Sequence, residues 1–141
     1  MRLLTADASV LLKWYLRTGE EDDLSQAAAI LVGLRKGDFA LRQPPHTLLE
    51  VAAVLVRERP SSLGSDLAEI KAILAEAVTL DAERLLPRAL QLSLALRHHL
   101  FDTLYHAAAL ETGATLLTAD RRYYDKARHL DNVTLLEDLR A

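Results

Sequence analysis

The sequence predicts an α/β protein, a three-layer α/β/α sandwich built on a central five-stranded parallel sheet. Three observations predict it. Five short apolar runs alternate with longer segments of helical period, the pattern of parallel strands joined by helical crossovers. The first run, residues 2–6, lacks polar alternation and stops at a polar residue, as a strand buried on both faces does. The chain has 141 residues, 50% of them hydrophobic and 26% charged, enough for one domain (residues 1–141) with a genuine core.

In chain order, the strand at 2–6 is followed by "ASVLLKWYL", which has helical character and is expected to stop near Gly19. "DDLSQAAAILVGLRKGD" has acids at its start and bases followed by Gly37 at its end, as helix capping and the helix dipole favour. "FALRQP" gives a second strand closed by Pro44 and Pro45, and "HTLLEVAAVLVRER" a helix halted before Pro60. In "SSLGSDLAEIKAILAEA" the spacing puts Leu67, Ile70, Leu74 and Ala77 on one face. "VTL" at 78–80 is a third strand. "PRALQLSLALRHH" reads as a helix with Pro87 in its first turn, where proline is tolerated. "DTLYHAAALETG" is a helix ended by Gly113. "ATLLT" is a fourth strand, "RRYYDKARH" a helix and "VTLL" a fifth strand.

Composition excludes several classes. The formal charge of −3 gives no global basic field for nucleic acid, so a polyanion would need local basic patches. With no cysteine there are no disulfides or thiolate metal sites, which fits a reducing compartment such as the cytoplasm. Asp7 and Lys13 interrupt the apolar N-terminal stretch, which makes it a poor signal peptide. No run approaches the roughly 20 apolar residues of a membrane span. No glycine-rich phosphate loop is present.

The pentapeptide "LLTAD" occurs twice, at 3–7 and 116–120. Its flanks differ in polarity and period, so it is not a structural repeat. Each copy reads instead as a buried strand delivering an aspartate at its carboxyl end, the edge at which ligands bind in open α/β sheets. Two further acids stand in apolar surroundings: Glu50, inside "TLLEVAAVLV", and Asp102, opening "DTLYHAAAL". Each acid alone has a local explanation. Thr47 and Glu50 have capping-box spacing, and Asp7, Asp102 and Asp120 could each cap a helix. Together, four carboxylates at strand ends and helix starts could converge on one sheet edge. Glu50 shares its stripe with His46, Thr47, Ala53, Val54 and Arg57, while the other faces of its helix should be buried. Converging acids repel one another unless cations neutralise them. An all-oxygen site suits Mg2+ or Mn2+, whose usual chemistry is phosphoryl transfer by activated water.

His98 and His99 would diverge on a helix and read as surface residues closing it, not as zinc ligands. Ser9 lacks a nucleophile-elbow context and reads as a hydrogen-bonding neighbour of Asp7. Thr5 and Thr118 stand two residues before their aspartates, as supporting donors or simply as β-favouring residues. Arg121, Arg122, Lys126 and Arg128, with Lys13 and Arg57 nearer the other acids, could bind phosphates; a solvated helix face accounts for them equally. Tyr15, Tyr105, Tyr123 and Trp14 could stack on bases, with packing the better account of Trp14.

These segments resemble the PIN-domain fold, and most closely the VapC toxins of toxin–antitoxin systems. "LLTADASVLLKWYL" resembles the family's first strand with its D-x-S motif. "QPPHTLLEVAAVL" resembles the proline-led helix bearing its glutamate, and "FDTLYHAAALETGATLLTADRRYYDKA" its aspartate-led helix, glycine and strand ending in T-x-D. The resemblance implies sheet order 3-2-1-4-5, which would set the two "LLTAD" segments side by side. It implies an acidic pocket of Asp7, Glu50, Asp102 and Asp120. Asp7 and Asp102 would hold metal most directly, Glu50 and Asp120 would complete the site, and Ser9 and Thr118 would support it. It further implies a Mg2+- or Mn2+-dependent endoribonuclease, a homodimer neutralised by a small antitoxin, with RNA as substrate and no membrane association. Thr103 stands where the family often has alanine. The rivals are a non-catalytic module binding RNA or protein, and a phosphate-handling receiver-like domain using Asp7, against which the missing D-x-D at the first strand argues.

Overall fold

The computed structural model describes residues 1–16 and 21–140. The helix stop expected near Gly19 lies outside these residues. Five strands, β1 (Arg2–Ala6), β2 (Phe39–Gln43), β3 (Val78–Thr79), β4 (Thr115–Thr118) and β5 (Val133–Leu135), form one sheet in the order β3-β2-β1-β4-β5. Every pairing is parallel. The sheet order that the resemblance implies is therefore the observed one.

Eight helices flank it: α1 (Ala8–Leu11), α2 (Lys13–Leu16), α3 (Glu21–Lys36), α4 (Thr47–Glu58), α5 (Leu63–Ala75), α6 (Ala82–Leu96), α7 (Leu100–Thr112) and α8 (Arg121–Ala127), all among the described residues. The two halves of the chain feed opposite faces of the sheet. Leu4, Val10, Ile30, Val51, Leu55, Ile70 and Leu117 belong to one buried cluster. Leu85, Ala89, Tyr105, Ala108, Leu116 and Tyr123 belong to the other. Adjacent Leu116 and Leu117 thus serve different cores, as the two-residue period of a strand requires.

Three elements depart from the sequence expectation. The helix after β1 is broken into α1 and α2, with Leu12 between them. The helix containing Pro87 begins at Ala82, so Pro87 lies in its interior rather than its first turn. Leu85, Ala89, Leu92 and Leu96 bury the opposite stripe, while Pro87 faces solvent, where water can satisfy the carbonyl the proline leaves unbonded. The α4 face carrying Leu49 and Val56 is open, these side chains being 73% and 54% exposed; only the Val51–Leu55 side is buried.

The two "LLTAD" segments are neighbours, staggered by two residues. Leu4 pairs with Thr115, Thr5 with Leu116 and Ala6 with Leu117. A two-residue offset preserves which face each side chain takes. It also carries Asp120 beyond Asp7 along the sheet edge. Between β1 and β4 the chain order reverses, the switch point at which α/β sheets bind ligands.

Candidate functional site

Asp7 follows the central strand β1. The Gln43 side chain clamps the last residue of that strand: its Oε1 accepts from Ala6 N and its Nε2 donates to Ala6 O, both at 2.8 Å. This fixes the backbone from which Asp7 departs. Asp7 Oδ1 caps α1 by accepting from Val10 N at 3.2 Å and takes the Ser9 hydroxyl at 2.5 Å. Ser9 Oγ in turn accepts from Ala119 N at 2.9 Å. Thr118 also hydrogen-bonds to the Asp7 carboxylate, while its oxygen accepts from Asp120 N at 3.0 Å. Two hydroxyls therefore tie Asp7 to the end of β4. Thr5 does not take part, since its hydroxyl donates to Arg42 O at 2.6 Å. Burial pushes the Asp7 carboxyl up to about 7; the Ser9, Thr118 and Val10 bonds oppose the shift and the Asp102 charge adds to it.

Glu50 comes from α4. The capping box that its spacing suggests is not formed. His46 occupies the N-cap position, and Thr47 donates instead to Pro44 O at 3.0 Å. Glu50 Oε2 lies 3.3 Å from His46 Nε2, which also lies 2.9 Å from Phe101 O at the start of α7. Asp102 sits in the first turn of α7, with His99 rather than Asp102 at the N-cap. Its Oδ2 meets His98 Nε2 at 2.6 Å and His99 Nε2 at 3.0 Å. The two histidines do not diverge: they precede the helix, and their rings stack at 4.7 Å. His98 is buried rather than exposed. Thr103, next to Asp102, donates to Ala89 O at 2.9 Å and so locks α7 to α6.

Tyr105, one turn on from Asp102, marks where these acids meet. It is fully buried, and its pKa is pushed up by burial and then by the charges of Glu50, Asp7 and Asp102, with the Thr47 hydroxyl opposing the shift. Burial, then Asp102 and Asp7, raise Tyr123 likewise. Asp7, Glu50 and Asp102 therefore all act electrostatically on one buried side chain. Asp120 joins through Thr118, with its Oδ1 capping α8 by accepting from Arg122 N at 2.9 Å and Tyr123 N at 3.3 Å.

The basic residues are arranged less simply. Arg121 pairs with Glu137, and Arg122 is exposed. Lys126 Nζ lies 3.0 Å from Arg97 O and 3.1 Å from His98 Nδ1. Lys13 lies 3.9 Å from Asp23 and lines a cavity of about 240 Å3 with Ser9 and Ala119. Arg57 pairs with Glu58. Tyr15, Tyr105 and Tyr123 are buried and not available for base stacking, and Trp14 donates to Ala27 O at 2.8 Å in the α2–α3 packing.

The residues fit a divalent cation. Asp7, Glu50 and Asp102 offer oxygen donors that suit Mg2+ or Mn2+, while among the described residues the group of three potential ligands whose atoms lie within 4.8 Å of one another is His98, His99 and Asp102. The Asp7 carboxyl, raised by burial and by the Asp102 charge, is what a cation and its hydration shell would relieve. Sequence reasoning missed His98, His46 and Tyr105. The H-x-x-x-D spacing of His98 and Asp102 was visible, but a helix through both histidines hid its meaning.

An all-parallel sheet ordered 3-2-1-4-5 with acids at its switch point defines an open α/β class whose ligand site lies at the carboxyl edge of the strands. The chain belongs to the PIN domain family, whose pattern it matches over residues 5–129. No sequence among the curated proteins matches it. Three solved structures share its fold. PAE2754 from Pyrobaculum aerophilum is 19% identical, with a TM-score of 0.68 over 97% of this chain and 85% of that one. VapBC2 from Rickettsia felis, bound to a promoter DNA fragment, is 12% identical, with 0.64 over 96% and 97%. A toxin–antitoxin complex from Klebsiella pneumoniae is 15% identical, with 0.63 over 96% and 98%. Among the described residues, no helix is long and apolar enough to cross a membrane.

Proposed function

We propose that the chain is a metal-dependent endoribonuclease and the toxin of a VapBC-type pair. The observation that carries this reading is the mutual electrostatic coupling of Asp7 and Asp102 and their action, with Glu50, on the buried Tyr105. Asp7 and Asp102 would hold a Mg2+ or Mn2+ ion. Glu50 and Asp120 would complete the pocket by binding the ion or orienting water. When bound, the ion supplies charge neutralisation at the phosphate and activation of water for hydrolysis.

The chain's own groups have distinct tasks. Ser9 and Thr118 fix the Asp7 carboxylate against β4. Asp120 sets the start of α8 and so the direction of Arg122, which together with Arg121 and Lys13 would meet the RNA backbone. The buried Tyr105 and Tyr123 rings keep bulk water from the floor of the pocket, where charge interactions are stronger.

Fold neighbours named as toxin–antitoxin complexes support an antitoxin partner for this chain. Leu86, Leu90 and Leu94 on α6, the last of them 81% exposed, form an apolar stripe suited to a homodimer contact.

The test is cleavage of a mixed RNA pool by the purified chain with Mn2+, with Mg2+ and with chelator. Metal-dependent cleavage lost in Asp7→Asn and Asp102→Asn is the expected result. RNA binding unaffected by metal, with no cleavage, would return the chain to a non-catalytic binding module.

A further inference from the structure

Outside the four acids, His98 is a buried polar side chain in direct contact with the site. Arg97, at the end of α6, takes a left-handed backbone with φ 52°, rare for a residue other than glycine. The turn aims the next side chain back toward α7. The backbone of His98 is held on both sides, its N–H donating to Ser93 O at 3.2 Å and its carbonyl accepting from the Ser93 hydroxyl. The Tyr123 ring meets the imidazole edge-on at 4.9 Å. Each ring nitrogen then has one partner: Nε2 lies 2.6 Å from Asp102 Oδ2, and Nδ1 lies 3.1 Å from Lys126 Nζ.

Chemistry fixes the direction of this chain. An ammonium can only donate, so Nδ1 accepts from Lys126 and Nε2 carries the proton, which it donates to Asp102. Lys126 is itself anchored on Arg97 O at 3.0 Å. We propose that His98 is a positioning residue for Asp102, held by Lys126 in the Nε2–H tautomer so that it engages Oδ2 and leaves Oδ1 for the divalent cation. Carboxylates that ligate metals are ordinarily oriented by such outer partners, whose loss costs about 10–100-fold in metal affinity or activity. The inference rests on Asp102 being a metal ligand.

The same atoms admit direct coordination of a transition metal, since ligand atoms of His98, His99 and Asp102 lie within 4.8 Å of one another. Lys126 argues against it. A metal on His98 Nε2 would place the ring proton on Nδ1, donor against donor with the ammonium.

Calorimetric Mn2+ binding to the full chain tests the assignment without relying on cleavage. His98→Ala should weaken binding by about 10-fold. His98→Gln, whose amide can still donate, should recover most of that loss, and His99→Ala should stay within about twofold of the parent. Mn2+ affinity unchanged in His98→Ala but reduced in Asp102→Asn would overturn the role of His98 and leave Asp102 as a ligand. Affinity unchanged in Asp102→Asn would overturn the metal reading of Asp102 itself. A loss in His99→Ala equal to that in His98→Ala would replace positioning by direct imidazole coordination.

Should His98→Ala not fold, histidine 15N spectra of the parent decide. They should show His98 as the Nε2–H tautomer, with Lys126→Met relaxing it toward a mixture. An Nδ1–H tautomer in the parent would overturn the proposal.

Discussion

The two "LLTAD" segments have the same five residues and adjacent places in the sheet, yet their aspartates have different surroundings. Asp7 ends the central strand, flanked by β2 and β4, and its carboxyl is pushed up to about 7 chiefly by burial. Asp120 lies two residues beyond that level because of the register, and its Oδ1 takes two backbone amides at the start of α8. Both cap helices, so capping and metal holding are not exclusive readings. Both are half-buried, and what separates them is their setting, Asp7 beside the Asp102 charge and Asp120 on two backbone amides. A carboxylate beside another acid has reason to take a cation; one satisfied by amides at a helix start has less.

The largest expected effect separates the two in catalysis. Asp7→Asn should lower metal-dependent RNA cleavage by about 100-fold or more, and Asp120→Asn by about 10-fold, judged by initial rates with Mn2+. Equal losses would remove the distinction between them.

Next comes stability, where the two should differ in sign. The folded protein holds a proton on Asp7 more tightly than the unfolded chain, with a pKa of about 7 against an ordinary 3.8. The metal-free protein is therefore favoured by this group below about pH 4 and loses that contribution as pH rises through about 7. A displacement of this size corresponds to roughly 4 kcal/mol at full effect. Asn keeps the cap and cannot ionise, so Asp7→Asn should stabilise the metal-free protein by about 2 kcal/mol at pH 8. Urea unfolding of both proteins at pH 4 and pH 8 measures this, and a gain independent of pH would contradict it.

Asp120→Ala, in contrast, should destabilise by about 1 kcal/mol through loss of the cap, with Asp120→Asn restoring most of it. Thermal melts with chelator present would show this ordering, and a neutral Asp120→Ala would mean the cap is not holding α8.

Thr118→Val should have the smallest effect, about 0.5 kcal/mol. It removes one of the bonds opposing the Asp7 shift, so the pH at which the metal-free protein loses stability should move upward. A downward movement would show that Thr118 does not support the Asp7 carboxylate.

Most of the fold was legible in the sequence because it depends on local pattern. Short apolar runs gave the five strands, and α3 and α7 end in left-handed glycines, Gly37 with φ 83° and Gly113 with φ 71°, where punctuation of this kind is expected. The errors share a cause. Pro87 fell inside α6 because burial of Leu85 and Ala89 outweighed the preference for proline in a first turn. Exposure of Leu49 and Val56 depends on what packs beside α4, which helical period does not encode. Tyr105 and Tyr123, open to a stacking role by residue type, are buried by the α7 and α8 packing.

By itself the sequence determined the alternation of strands and helices, the acids at their junctions and the oxygen-only chemistry those acids permit, because period, capping and donor type are properties of neighbouring residues. Only the tertiary structure decided the two-residue stagger between the "LLTAD" copies, the shared electrostatic influence of Glu50, Asp7 and Asp102 on the buried Tyr105, and the Lys126–His98–Asp102 chain. Each of these joins residues far apart in the chain, and desolvation arises only when separate elements close over one another.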